Sequence, residues 1–492
     1  MKTFATLLMC CFVSLASWGQ SGISLYHLNN ETFQGNNMNP AFIPDGKVFL
    51  GLPVLSGVMV DLNATASYND LQTIDDEGTK VYDFDKIVSQ SKDKNYLGVE
   101  SEISTFYLGF RPKATMAFSV FVRERIAARG FYSHDAADFI WNGNKNYVGK
   151  SVDLSTTLVD ARYYREYGIG LWKSFPKNKL DVGVRVKFLN GMISAISDSD
   201  FDGRIMVSDD NYQHTLSLSH ARVNTAGINL IENGNEGDLE SHLISNNNLG
   251  FGIDVGVNWR INEKFSTSLA INDLGFINWK TDPENYWVAD TTFSFDGLNL
   301  KDSDNIVDAI KDSLINRLQD SISYESYSSG LNTSAYASGS YHLSRRDMVT
   351  ATISSHIVQG NFRMLYALGY TRKFGNILSV SGNVIRKPQQ GFDVGLATAV
   401  NLGALQLYAA SDQIIKVWNT PEASSFDIRF GINFIFGRSK VKADAKDNRK
   451  DLQHESPYGK GAKVEKSDGL YWIVPKQKPR PVYNDHPEFS DK

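Results

Sequence analysis

The stretch DSDFDGRIMVSD, residues 198–209, has side chains of the right type and spacing to hold a calcium ion. Asp198, Asp200 and Asp202 stand at positions 1, 3 and 5 of a twelve-residue loop, Gly203 at 6, Ile205 at 8 and Asp209 at 12. Calcium takes six to eight oxygen ligands around a tight turn, which is what carboxylates at that spacing before a glycine supply. Against this, position 12 is Asp rather than the longer bidentate Glu, and no helical pattern flanks the loop. Asp and Gly are also ordinary turn formers between strands. We read the stretch as a plain hairpin and expect no metal.

Catalytic patterns are missing as well. The chain has no HExxH, no GxSxG, no phosphate-binding Walker loop and no GxGxxG opening a helix. Its nine histidines, among them His134, His214, His220, His342 and His356, are scattered, and around none of them is there a carboxylate-and-serine arrangement that the sequence can vouch for. The expectation is a protein without catalytic residues or cofactor, and not an enzyme. A net charge of −5 and a pI near 6.0 argue against a nucleic-acid partner.

With so little chemistry on display, the elements themselves carry the information. The segment MKTFATLLMCCFVSLASWGQ starts basic at Lys2, runs apolar from Phe4 to Trp18 and ends in small residues, the pattern of a secretory signal over residues 1–19. Cys10 and Cys11 lie inside it, so the exported chain is expected to have no thiol and no disulfide. No later run reaches the ~18 consecutive apolar residues of a transmembrane helix.

In LDVGVRVKFLNG (180–191), Leu180, Val182, Val184, Val186 and Phe188 alternate with Asp181, Gly183, Arg185 and Lys187. Successive strand residues point to opposite faces, so one face is apolar and the other charged. The pattern recurs at 250–261, 361–372, 391–401 and 426–437, and more weakly at 47–62, 101–111, 114–125, 161–173, 212–224, 264–275, 331–344, 347–358, 376–386 and 403–411. Allowing for a loop hairpin among them, we expect about 14 strands. Short turns at 111–113, 262–264, 373–376 and 401–403 alternate with long connections, the habit of an up-and-down membrane barrel. A strand of nine residues tilted by ~40° rises about 20 Å, near the ~25 Å apolar band of such barrels. A lipid-facing Arg or Lys costs ~2–4 kcal/mol near the bilayer centre, so Arg185 and Lys187 must face a lumen. The expected fold is all-β, a transmembrane antiparallel barrel over residues 47–437 in the outer membrane, with both ends in the periplasm.

Residues 20–46, Asn- and Gly-rich and without period, read either as a disordered leader or as a hatch in the lumen. Residues 302–320 read as an amphipathic helix in a loop, with Ile306, Ile310, Leu314 and Leu318 on one face. Residues 438–492 read as a flexible periplasmic tail. Within it, GLYWIVPKQKPRPVY (469–483) combines a β-prone run with a proline-rich basic one. That suits strand addition to a periplasmic protein partner, or folding back onto the barrel's own mouth.

Taken together, MNPAFIPDG, VGVRVKFLNG, LGFGIDVGVNW with INDLGFINW, GALQLYAASDQI and IRFGINFIFG resemble a Bacteroidota outer-membrane barrel family known only as a domain of unknown function. That family is similar to the FadL-like long-chain fatty-acid transporters and to the PorV and PorP barrels of type IX secretion, which share the start seen here as Asn39, Pro40 and Ala41. The resemblance implies a 14-strand barrel with an N-terminal hatch and, for the FadL-like members, an apolar pocket beside it. Two functions follow as expectations. One is passive transport of a hydrophobic or small solute through a barrel embedded in membrane lipid. The other is a non-transporting barrel serving as scaffold to an envelope machine such as type IX secretion or gliding. Small residues on the lumen face (Gly252, Gly256, Ser266, Ser268, Ala270) either leave room for a hatch or ligand, or simply allow the wall to curve.

Overall fold

A computed structural model describes residues 22–438, except 68, 70–71, 75–77, 233–235, 245–246, 296–321, 359–360, 388–390 and 419–422, together with the short strands 441–442, 453–454, 463–467 and 470–474. The expected helix at 302–320 lies outside the described residues.

Fourteen antiparallel strands close into a barrel. They are β1 (Val48–Gly51 and Val58–Ala64), β2 (Asn95–Lys113), β3 (Met116–Tyr132), β4 (Leu158–Phe175), β5 (Leu180–Ser197), β6 (Leu249–Arg260) and β7 (Phe265–Trp279). Then follow β8 (Tyr327–Gly330 and Ser334–His342), β9 (Asp347–Val358), β10 (Asn361–Phe374), β11 (Leu378–Lys387), β12 (Gly391–Leu402), β13 (Leu405–Ser411) and β14 (Ser425–Phe436). Each pairs with the next, and β14 returns to β1 with Val48 opposite Phe436. Closure leaves the barrel no free edge, which a lipid-embedded sheet requires because hydrocarbon offers no hydrogen bonds.

The alternation of β5 behaves as its sequence demands. Asp181, Gly183, Arg185 and Lys187 are buried inward, while Leu180, Val182, Val184 and Val186 are half-buried and Phe188 is exposed on the outer face. Ile169, Leu171, Leu269, Ile271 and Leu368 continue that outer apolar belt on neighbouring strands. Six connections (β2–β3, β4–β5, β6–β7, β8–β9, β10–β11 and β12–β13) are only two to four residues long and lie at one end of the barrel, where β1 begins and β14 stops. Exposed rings of Phe110, Phe175, Trp259, Phe265, Phe374 and Phe436 lie at the same end, as aromatic side chains do at a membrane interface.

Three sequence expectations need correction. Residues 212–224 are not a wall strand. His220 adopts a left-handed backbone (φ 52°) and splits them into His214–Ser219 and Ala221–Ala226. The first part belongs to a separate four-stranded sheet outside the barrel, and the second pairs with the far end of β5. Strands β2 to β5 are also longer than the apolar pattern suggested, at 17–19 residues. The third correction is an interruption. Residues 52–57 leave β1 as an excursion, six residues standing opposite three on β2 and two on β14.

If the outer face of β5 meets lipid, Val184→Arg destabilises the barrel by about 2–4 kcal/mol. The urea dependence of refolding into vesicles measures this, and the same substitution at an exposed loop position serves as the reference.

Candidate functional site

Residues 22–45 fill the lumen. The helix α1 (Ile23–Leu28) is buried along its whole length, and a short turn at Gly35–Met38 precedes the Asn39-Pro40-Ala41 step. On one side Ile23 and Tyr26 of α1, with Met38 and Phe42 from further along the segment, pack against Tyr336, Leu365 and Ile385 of the wall. On the other, Leu25 and Leu28 meet Ala397, Ala399 and Tyr408. Tyr26 stacks on Tyr336 at 5.2 Å, and Phe33 on Tyr107 at 4.2 Å.

The polar contacts divide the lumen into two halves. Over β7 to β11 the wall presents hydroxyls. Tyr26 Oη lies 2.6 Å from Ser268 Oγ and 3.0 Å from Ser338 Oγ. His27 Nε2 lies 2.8 Å from Thr352 Oγ1, and Thr371 Oγ1 donates to the His27 carbonyl at 3.0 Å. Over β2 to β7 the wall presents charges. Lys187 Nζ, fully buried, stands 2.7 Å from Asp254, in contact with Asp273 and 3.8 Å from Glu166. Arg185 pairs with Asp254 at 2.7 Å, and Arg123 bridges Glu102 (3.1 Å) and Glu166 (2.5 Å). Asp273 reaches this cluster because a register shift between Ile253 and Val255 brings its N–H within 2.7 Å of Asp254 Oδ1.

The plug is tied into both halves. Arg185 donates to Asn37 Oδ1 (2.9 Å) and to the Asn37 carbonyl (3.2 Å). Asn272 donates to the Met38 carbonyl at 2.8 Å, Trp172 Nε1 to that of Ala41 at 2.9 Å, and Arg111 to that of Pro44 at 2.8 Å. Where the plug comes closest, the wall has glycine. A Cβ on Gly183 would lie 1.9 Å from the Pro40 carbonyl oxygen, and one on Gly256 2.0 Å from Asn39 Oδ1. Of the two explanations offered for small lumen-facing residues, room for a hatch is therefore the one seen at Gly256. Neither Gly183 nor the ion-pair partners of Lys187 are legible in sequence alone, since each depends on which strand becomes a neighbour.

Two small voids among the described residues measure about 20 Å³ each, room for about one water molecule. One lies between α1 and the wall, lined by Leu25, Met38, Gly57, Met59, Glu102 and Tyr408, directly beneath the excursion at 52–57. The excursion keeps its hydrogen bonds to both neighbours, Val54 N to Ser104 O (3.0 Å) and Ile432 N to Leu55 O (2.8 Å). Val54 sits at φ 65°, a region a β-branched residue avoids, and Val54 and Leu55 are each 50% exposed on the outer surface. The apolar pocket implied by the FadL resemblance is not among these voids.

The loop carrying Asp198, Asp200 and Asp202 is occupied with its own bonds. Asp198 Oδ1 accepts from the Asp200 N–H at 3.1 Å, Asp202 Oδ1 accepts from Ser155 Oγ at 2.7 Å, and a strand begins at Asp202. Among the described residues no three His, Cys, Asp or Glu side chains gather as a metal site would need. His134 Nδ1 meets Ser91 Oγ at 2.5 Å in the outer loops, and His342 meets Ser266 Oγ at 3.3 Å in the lumen, so the histidines do not converge. In the tail, Leu470–Val474 pairs with Lys463–Ser467 as an antiparallel hairpin.

Two outcomes follow. Gly256→Val leaves the wall intact but unseats the plug, so limited proteolysis cuts within residues 22–45 much faster than in the parent protein. The second concerns acid. Burial pushes the His27 imidazole down to about 4, below its value of 6.5 in the free chain. The seated plug thus binds fewer protons than the released one, and its stability is complete above 6.5 and lost as pH falls toward 4. The loss reaches about 3 kcal/mol; plug proteolysis as a function of pH measures it, and His27→Gln flattens the profile.

The chain resembles the toluene transporter TbuX of Ralstonia pickettii (10% identity, 86% of this chain and 100% of that one, TM-score 0.38). It also resembles a FadL homologue of Pseudomonas aeruginosa (12%, 86% and 99%, TM-score 0.40) and the toluene transporter TodX of Pseudomonas putida (9%, 85% and 97%, TM-score 0.34). No curated protein matches the chain. The profile of a family of unknown function (DUF5723) matches residues 40–412, from the Asn-Pro-Ala step to the end of β13, and the chain belongs to that family.

Proposed function

We propose that this protein is a plugged outer-membrane transport barrel that passes a small apolar solute between its lumen and the bilayer through the interrupted first strand. Residues 1–19 are removed on export, residues 20–46 form the plug, and the tail from 438 lies in the periplasm. The observation that carries the reading is the excursion at 52–57. It breaks the wall where a lumen void meets the plug, and it holds Val54 in a strained backbone that the surrounding ladder must maintain. A route that opens sideways into lipid suits an apolar cargo, and at its inner end Leu25, Met38, Met59 and Tyr408 stand beside the polar Gln34, Asn37, Glu102 and Arg429.

The packed lumen supports a second reading, a sealed barrel that anchors an envelope assembly without conducting anything. Flux measurements separate the two. Reconstituted in vesicles, the parent protein is expected to speed entry of a monoaromatic hydrocarbon or a long-chain fatty acid. Deleting Pro53–Ser56, which lets β1 run on nearly continuous, is expected to abolish that entry while melting stays the same or rises. No flux from the parent protein, together with an envelope protein that co-purifies stoichiometrically, would establish the scaffold instead.

A further inference from the structure

The outer face of the wall marks where the apolar band ends. One girdle of exposed rings lies at the short-turn end, and a second, Tyr167, Phe188, Phe251, Phe276 and Phe392, lies farther from that end on the same outer face. Phe175 to Tyr167 and Trp259 to Phe251 are each eight residues along a strand, about 20 Å of height at ~40° tilt, so the two girdles bracket the band. Just beyond the second girdle the outward Glu124 on β3 pairs with the outward Arg165 on β4 at 2.6 Å. That pair belongs at the interface, because lipid-facing charge is costly deeper in the band.

Strands β1 to β4 do not stop there. Phe106 on β2 shares a row with Val122 and Tyr167, and β2 runs on from it to Leu97, about 20 Å higher. Beyond the Glu124–Arg165 pair, every outward position on these four strands is uncharged. Leu62, Val99 and Ile126 are exposed, and Leu97 is 65% exposed. Leu62 stands opposite Val99, so these side chains form one apolar ridge across β1 to β3. Beside the ridge lies a hollow. Ala128 stands between Val99 and Ala161, Gly130 stands opposite Leu97, and a Cβ on Gly130 would meet nothing within 4 Å. An apolar ridge held clear of the hydrocarbon is a contact surface rather than part of the lipid belt.

We propose that a second copy of the chain docks on this face, two barrels standing side by side about a two-fold axis along the membrane normal. The bilayer holds every copy at one height and in one orientation, so such an axis brings the face against itself. A two-fold contact sets residues near their own equivalents, where charges of one sign would repel, and this face has none. Ridge and hollow stand next to one another, so the ridge of each copy enters the hollow of the other. Strands tilted by ~40° in both walls cross at about 80°, close to the orthogonal packing of two sheets. The contact uses no residue of the plug or of the excursion at 52–57, so it rests on neither the transport reading nor the scaffold reading.

Cysteine cross-linking of the full chain in outer membranes tests the contact, since the only cysteines in the sequence are Cys10 and Cys11. On mild oxidation, Val99→Cys is expected to give a covalent species of twice the chain's mass. The parent protein is expected to give none, and so is Tyr324→Cys, which puts an exposed thiol beside the outer end of β8, across the barrel. Adding Leu97→Asp to Val99→Cys is expected to abolish the dimer and leave melting unchanged, because that side chain already stands in water in a single copy. Should the double variant fail to fold, Ala128→Arg fills the hollow instead, with the same expected loss. The proposal is overturned if Val99→Cys stays monomeric, if it cross-links no faster than Tyr324→Cys, or if the dimer survives both substitutions. A product of any other mass would mean a different protein on this face and would overturn it as well.

Discussion

A barrel of this girth cannot fill its own interior with wall side chains, and everything inside this one is arranged around a buried cation. Lys187 Nζ has no contact with water and stands among Asp254, Asp273 and Glu166. Removing one partner from such a cluster leaves charge without compensation in a dry site, at a cost of about 3–5 kcal/mol. Arg185, two residues earlier on the same face, shares Asp254 with Lys187 and holds Asn37 of the plug. The wall's charge balance and the plug's position are therefore one problem. Charges that must avoid lipid are turned inward, turned-inward charges must be paired, and the pairing leaves donors aimed at the plug backbone.

Shape follows the same dependence. The Asn-Pro-Ala step passes the wall where β5 and β6 carry Gly183 and Gly256, and any side chain at either position would overlap it. Asn39 closes on itself, its Oδ1 accepting from the Ala41 N–H at 2.9 Å, so the step is a preformed turn rather than an extended chain pressed into place. Glycine in a strand interior weakens the strand, and here the neighbouring ladder and the lumen contacts offset that loss.

Much of the barrel was legible in the sequence because period-two alternation reports directly on a wall with one apolar and one polar face. Leu180 to Phe188 and Phe426 to Phe436 are examples where nothing else competes. Legibility failed wherever a strand left the membrane. The far halves of β2 to β5 place Glu100, Arg129, Asp160 and Arg162 inside a polar vestibule, and the stretch at 212–224 alternates equally well in an outlying sheet. The excursion at 52–57 was hidden because its residues, LPVLSG, read as ordinary strand. Of the lumen, the inward direction of Arg185 and Lys187 could be argued from cost alone. Their partners Asp254 and Asp273 lie 67 to 86 residues away on β6 and β7, a pairing that exists only once register is fixed.

The plug is clamped harder at its ends than in its middle, and this limits how it can move. At one end three N–H groups meet the Asp412 carboxylate, and at the other Arg185, Asn272 and Arg111 hold the carbonyls of Asn37, Met38 and Pro44. Bonds to charged groups contribute about 1.5–3 kcal/mol each, against about 0.5–1.5 kcal/mol for neutral ones. The middle has neutral bonds at Tyr26 and His27, and an ion pair from Glu31 to Lys373, whose side chain is 42% exposed and so screened by water. Ejecting the whole segment would break both clamps and expose the buried Asp412 carboxylate and the Lys187 cluster together. A shift of residues 29–35 breaks the Glu31–Lys373 pair and the Gln34 bonds and leaves both clamps in place. That stretch contains Gln34, which donates to the Ser56 carbonyl at 2.6 Å and so ties the middle of the plug to the excursion in β1. The least costly motion of the plug is thus coupled to the one place where the wall is already interrupted.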